Sequence, residues 1–149
     1  SLFQMTTLKT FRRVFEINFF SLVNFTQKML KIIKKNNFSK IINIASNAAD
    51  LSDIGRSAYA PSKAALISFT KVLSKELGAN KINVNAVSPG LVNTDMMKDT
   101  PKKAIEEAIV RTPLKKVAEP IDVAKTVLYL ASDSSNHISG ETINITGGM

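Results

Sequence analysis

Tyr59 and Lys63 stand four residues apart in Ser57-Ala58-Tyr59-Ala60-Pro61-Ser62-Lys63, with Ser46 thirteen residues upstream of the tyrosine. On a helix, positions i and i+4 share a face, so a phenol and an ammonium can meet at one site. A phenol ordinarily titrates near about pH 10, and a cation beside it favours the ionised form. That makes the side chain a usable proton donor and acceptor near neutral pH. The pair alone is weak evidence, because lysine is abundant here and either of the two tyrosines could meet one at that offset by accident. Its meaning depends on the elements that position it.

Ser46 ends the run Lys40-Ile41-Ile42-Asn43-Ile44-Ala45-Ser46, a β-branched stretch that predicts a buried parallel strand. A second such run, Ile82-Asn83-Val84-Asn85-Ala86-Val87-Ser88, ends at Pro89-Gly90. Between them, Tyr59 to Leu77 reads as a helix, with Ala65, Leu66, Phe69, Val72 and Leu73 spaced for one apolar face. Strand, helix, strand is the parallel crossover unit of an α/β fold. In open sheets of that kind, ligands bind beyond the carboxyl ends of the strands. Ser46 and Pro89-Gly90 both fall there.

Four segments resemble, in order, the pattern of the short-chain dehydrogenase/reductase family. They are Asn18 in Glu16-Ile17-Asn18, Ser46 after its strand, Tyr59-Ala60-Pro61-Ser62-Lys63, and Ser88-Pro89-Gly90-Leu91-Val92-Asn93-Thr94-Asp95-Met96. The tail Ser139 to Met149 looks like the family's closing strand. Within the family the chain is most similar to the β-ketoacyl-acyl-carrier-protein reductases, and the similarity runs over all of residues 1–149. The family pattern begins with a strand and a glycine-rich turn that cradles the cofactor pyrophosphate. Here there are six glycines, none clustered between a strand and a helix near the start. The resemblance therefore implies the C-terminal part of a doubly wound, parallel-sheet Rossmann fold, a single partial domain over 1–149 without the first strands and the glycine-rich turn.

By resemblance, the reaction is hydride transfer between NADP, or NAD, and a carbonyl, with a 3-oxoacyl thioester on acyl carrier protein as the first expectation. A sugar, polyol or steroid carbonyl is the alternative, and so is a fragment that only assembles with other subunits. The catalytic residues implied are Asn18, Ser46, Tyr59 and Lys63. Tyr59 protonates the developing alkoxide, and Lys63 lowers the tyrosine pKa and binds the nicotinamide ribose. Ser46 holds the substrate oxygen, and Asn18 holds a water in a relay from the lysine. Cofactor binding falls to Tyr59 and Lys63 with Pro89, Gly90, Val92 and Thr94. Taken one at a time these residues have plainer readings: Ser46 as a turn cap, Thr94-Asp95 as an N-cap, Pro89-Gly90 as turn chemistry.

Composition narrows the field. A chain of 149 residues, 44% hydrophobic, can build one core. The absence of cysteine excludes disulfides and thiol metal sites and suits a cytoplasmic enzyme. His137, the single histidine, lies in a polar stretch that reads as a solvated loop, so histidine metal or triad chemistry is excluded. No apolar run approaches the roughly 20 residues of a membrane span. A net charge of +8 invites a nucleic-acid reading, but the lysines are dispersed, aromatics are 7%, and no nucleic-acid module appears. The densest run, Lys28 to Lys35, alternates with apolar residues at helical spacing. It is either a solvated face or a docking surface for an acidic partner such as an acyl carrier protein.

Along the chain, Leu8 to Lys35 predicts a long helix carrying Phe11, Phe15, Phe19 and Leu22 on one face. Asn47 to Arg56 predicts a loop bordering the substrate pocket, and Leu91 to Thr112 a lid containing a short helix over Pro101 to Ile109. Glu119 to Ala131 predicts a further helix in which Tyr129 serves packing. By resemblance, the helices Leu8–Lys35 and Tyr59–Leu77 form one interface of a homotetramer. The strand Lys40–Ser46, with a neighbour missing, is expected to leave an apolar edge prone to association.

Overall fold

A computed structural model describes residues 1–33, 38–97 and 100–149, the side chain of Met96 excepted. Three parallel strands, β1 (Ser39–Ile44), β2 (Ile82–Pro89) and β3 (Thr142–Ile145), form a sheet in that spatial order. Register pairs Ile41 with Val84 and Ile44 with Val87, then Val87 with Ile143. The strand expected to reach Ser46 ends at Ile44; the ladder carries on through Ala45 N–H to Val87 O (2.8 Å) before the chain turns.

The helix α4 (Tyr59–Leu77) supplies the crossover from β1 to β2 and covers one sheet face. Leu73 and Leu77 meet Ile82 and Val84 there, with Leu30, Ile33, Ile41 and Phe69 around them. The buried ridge of α4 runs Ser62, Leu66, Thr70, Leu73, Leu77, so two of its five members are polar. Val72, expected on this face, is 50% exposed. Thr70 is tolerated inside because its hydroxyl donates to Leu66 O (2.9 Å) and accepts from Asn43 Nδ2 (2.8 Å).

The opposite face is covered by α6 (Pro120–Ala131) and the loop after it. Asn83 and Asn85 point that way and bind backbone rather than water. Asn83 Nδ2 donates to Asn136 O (3.0 Å) and Ile138 O (2.7 Å), and Asn85 takes Ile138 O and Glu141 N–H. His137 lies exposed in that loop, as expected. Tyr129, expected to serve packing, is 44% exposed, because α6 buries Leu130 and turns Leu128 outward.

The expected long N-terminal helix is α1 (Leu8–Phe15) and α2 (Ser21–Ile33) joined by a π-helical turn, Glu16–Phe20. Lys34 and Lys35, its expected end, lie outside the described residues. The Asn47–Arg56 loop contains a helical turn, α3 (Ala48–Leu51). The short lid helix, α5, covers Lys102–Arg111 with Pro101 as its N-cap. No helix among the described residues is long and apolar enough to cross a membrane.

Candidate active site

The extra residue of a π turn shifts the helix register and aims one side chain off the regular ladder, a feature that recurs at functional sites. Asn18 sits in that turn, and its Nδ2 donates to Ser62 Oγ (3.1 Å). Ser62, wholly buried, donates in turn to the Tyr59 carbonyl (2.7 Å). The side-chain carbonyl of Asn18 remains an acceptor. Ser62 is the residue that sequence reasoning missed; a serine inside a quoted motif carries no signal of which partner it takes.

Tyr59 and Lys63 open α4 on the face toward the end of β1. Lys63 Nζ lies 5.9 Å from the Tyr59 ring centroid and donates to Ile44 O (2.8 Å). That carbonyl ends β1 on the edge not paired to β2, so the ammonium takes a sheet acceptor left open. Burial pushes the Lys63 ammonium below the usual lysine range, the penalty of holding a cation away from water.

Ser46 follows two residues after Ile44. Its Oγ accepts from Ala48 N–H (3.2 Å), so it does cap a turn. The cap uses only the oxygen, and the O–H stays available to donate. Asn47 N–H donates to Pro89 O (3.0 Å), which ties this turn to the end of β2. A Cβ on Gly90 would stand 3.3 Å from Asn47 Nδ2 and 3.4 Å from Thr146 Cα, so a larger residue there would force its neighbours apart. Asn18, Ser46, Tyr59, Lys63, Pro89 and Gly90 are thus gathered around one end of β1, β2 and α4.

Val92 and Thr94 are placed differently. Val92 forms a single parallel bridge with Ala118, and Thr94 lines a cleft of about 610 Å³ with Asn93, Asp95, Met97, Ile105 and Pro120. Tyr59 lines a separate cleft of about 280 Å³ with Thr10, Val14, Arg56 and Ser57. Lys63 has N–H groups beyond the one on Ile44, donors that a nicotinamide ribose could use. Among the described residues no glycine-rich turn offers a cradle to a pyrophosphate, and no group of three or more His, Asp and Glu side chains is placed to hold a metal ion.

Known proteins resemble the chain over its whole length. A family model described as enoyl-(acyl carrier protein) reductase matches residues 1–149. The 3-oxoacyl-acyl-carrier-protein reductase of Thermotoga maritima is 38% identical over 136 residues, which are 91% of this chain and 55% of that protein. A 3alpha-hydroxysteroid dehydrogenase of Mediterraneibacter gnavus is 35% identical over 137 residues, 92% of this chain and 55% of that protein. The crystal structure of the 3-oxoacyl-acyl-carrier-protein reductase from Brucella melitensis superposes with a TM-score of 0.95 at 28% identity, covering 100% of this chain and 56% of that one. The chain therefore spans about half the length of the curated relatives it matches, and the match is to their C-terminal portion.

Proposed function

The chain belongs to the short-chain dehydrogenase/reductase family, and from that premise we propose that the protein is an NAD(P)-dependent oxidoreductase that reduces a 3-oxoacyl thioester carried by an acyl carrier protein. The observation that carries this reading is the Lys63 ammonium, half desolvated, 5.9 Å from the Tyr59 ring and anchored on Ile44 O two residues before Ser46. An enzyme that creates an alkoxide needs a proton donor, a cation beside that donor and a hydrogen-bond donor for the substrate oxygen.

When bound, NADPH (NADH as the second choice) supplies the hydride. The protein's residues handle the rest. Ser46 O–H donates to the carbonyl oxygen of the substrate and holds it where negative charge will develop. Tyr59 O–H gives its proton to that oxygen as the C–O bond becomes an alcohol. Lys63 stabilises the resulting phenolate and would hold the nicotinamide ribose through its remaining N–H groups. Asn18, locked by Ser62, keeps its carbonyl oxygen free to hold a water through which solvent returns the proton. Pro89, Gly90, Val92 and Thr94 would hold the nicotinamide carboxamide. The identity to acyl-carrier-protein reductases favours an acyl thioester over a steroid, sugar or polyol carbonyl.

A second reading, a module that assembles without catalysis, is favoured by apolar side chains on the helical surface. Ile17, Phe20 and Phe25 on the α1–α2 helix and Val72 on α4 are each at least half exposed. In the first reading the same surface closes a homotetramer. One experiment separates the two: NADPH oxidation by the natural full-length polypeptide with an acetoacetyl thioester, before and after Tyr59→Phe. The phenylalanine variant should turn over about a hundred- to ten-thousandfold more slowly. A wild-type protein that stays inert, while forming oligomers, would leave only the second reading standing.

A further inference from the structure

Residues 91–94 leave β2 at Gly90 and reach a short 3-10 turn, Asp95–Met97, without joining the sheet. Two backbone bonds tie them to Ala118: Ala118 N–H to Leu91 O (3.1 Å) and Asn93 N–H to Ala118 O (2.8 Å). A lone bridge with no neighbouring strand has nothing to cooperate with, and such segments open at low free energy. One side chain closes this one. Asn93 Nδ2 lies 3.1 and 3.2 Å from the two carboxylate oxygens of Glu119. The amide orientation is forced, since an ionised carboxylate can only accept.

Glu119 is not a freely swinging partner. It is the N-cap of α6, followed by Pro120, and its N–H donates to Asp122 Oδ2 (2.9 Å). α6 in turn rests on β1 and β2. A carboxylate there is favoured by the helix dipole, and it hands the Asn93 side chain a mount on the rigid part of the fold. We infer that Asn93 and Glu119 form a clamp, with Glu119 the positioning residue, that fixes the backbone of residues 91–94 and so sets how tightly the dinucleotide is held. This rests on the proposed oxidoreductase reading, in which Val92 and Thr94 contact the nicotinamide. Both side chains are exposed, which limits the clamp to a modest effect.

Asn93→Ala tests it, because that change removes the clamp and leaves the α6 cap intact. In the natural full-length polypeptide, amide exchange at Asn93 and Ala118 should quicken about three- to tenfold, the range expected for one hydrogen bond, with residues 82–89 unchanged. The NADPH Kd should rise by a similar factor of about three to ten at nearly constant kcat. Glu119→Ala should reproduce both shifts, and Asn93→Gln, which keeps the amide, should restore most of the loss. Unchanged exchange in Asn93→Ala overturns the clamp. Faster exchange with an unaltered Kd overturns its positioning role. A wild-type protein that binds no dinucleotide sinks the oxidoreductase reading and this inference together, an outcome the wild type alone reveals.

Discussion

The two walls of the candidate site are held in place by different means. On one, Ser46 in the turn after β1 and Tyr59 and Lys63 on α4 stand above a core in which Leu66 and Val84 are wholly buried and Asn43 and Thr70 satisfy each other out of reach of water. On the other, Val92, Asn93 and Thr94 are tied to residues 118 and 119 by a single bridge and an exposed side-chain pair. The α5 helix beyond them meets the loop before Tyr59 through an exposed ion pair. Asp53 takes Arg111 at 3.7 Å and Arg56 at 3.9 Å, with the arginines about half exposed or more. In the proposed mechanism, the wall that would place the proton donor is the one built from buried packing. The wall that would admit and release the dinucleotide is the one built from contacts that water can replace.

The contrast can be tested by weakening each wall. Leu66→Ala should be the most damaging, at about 3–5 kcal/mol by chemical denaturation, because a fully buried leucine leaves a cavity under Tyr59 and Lys63. A cost below about 1 kcal/mol would mean that the α4 wall is looser than its burial implies. Asn85→Ala should cost about 1–3 kcal/mol, since it strips the part-buried Glu141 N–H of its acceptor and leaves Ile138 O with Asn83 as its side-chain donor. Its effect should appear as earlier exchange of the 136–141 loop. Asp53→Asn should be the mildest, under about 1 kcal/mol in global stability and smaller still at high salt. It should loosen α5 in exchange measurements while leaving β2 untouched. If Asp53→Asn destabilised the whole fold as much as Leu66→Ala, the division into a packed wall and a surface-tied wall would fail.

Much of the packed wall was legible in the sequence. The β-branched runs at Lys40–Ser46 and Ile82–Ser88 marked two of three strands, and the i to i+4 offset put Lys63 beside Tyr59 without any coordinates. Periodicity misjudged α4, however, placing Val72 inside and passing over Ser62 and Thr70. Apolar spacing assumes that polar side chains face water. It cannot register a serine that returns to the backbone of its own helix or a threonine met by an asparagine from a strand 27 residues away. The surface-tied wall was hardly legible. Asn93, Glu119, Asp53 and Arg111 are ordinary loop and helix-end residues until folding brings them together.

The sequence by itself determined whatever depends on near neighbours: the order of strands and helices, the shared face of Tyr59 and Lys63, and Ser46 at a strand's carboxyl end. These follow from backbone geometry with periods of about 3.6 and 2 residues. Only the tertiary structure decided which polar groups could be buried, that the N-terminal helix takes up an extra residue at Asn18, and that residues 91–94 rest on the head of α6. Each of those is a pairing across a long loop, and its free energy exists only once the sheet has brought both partners within hydrogen-bond reach.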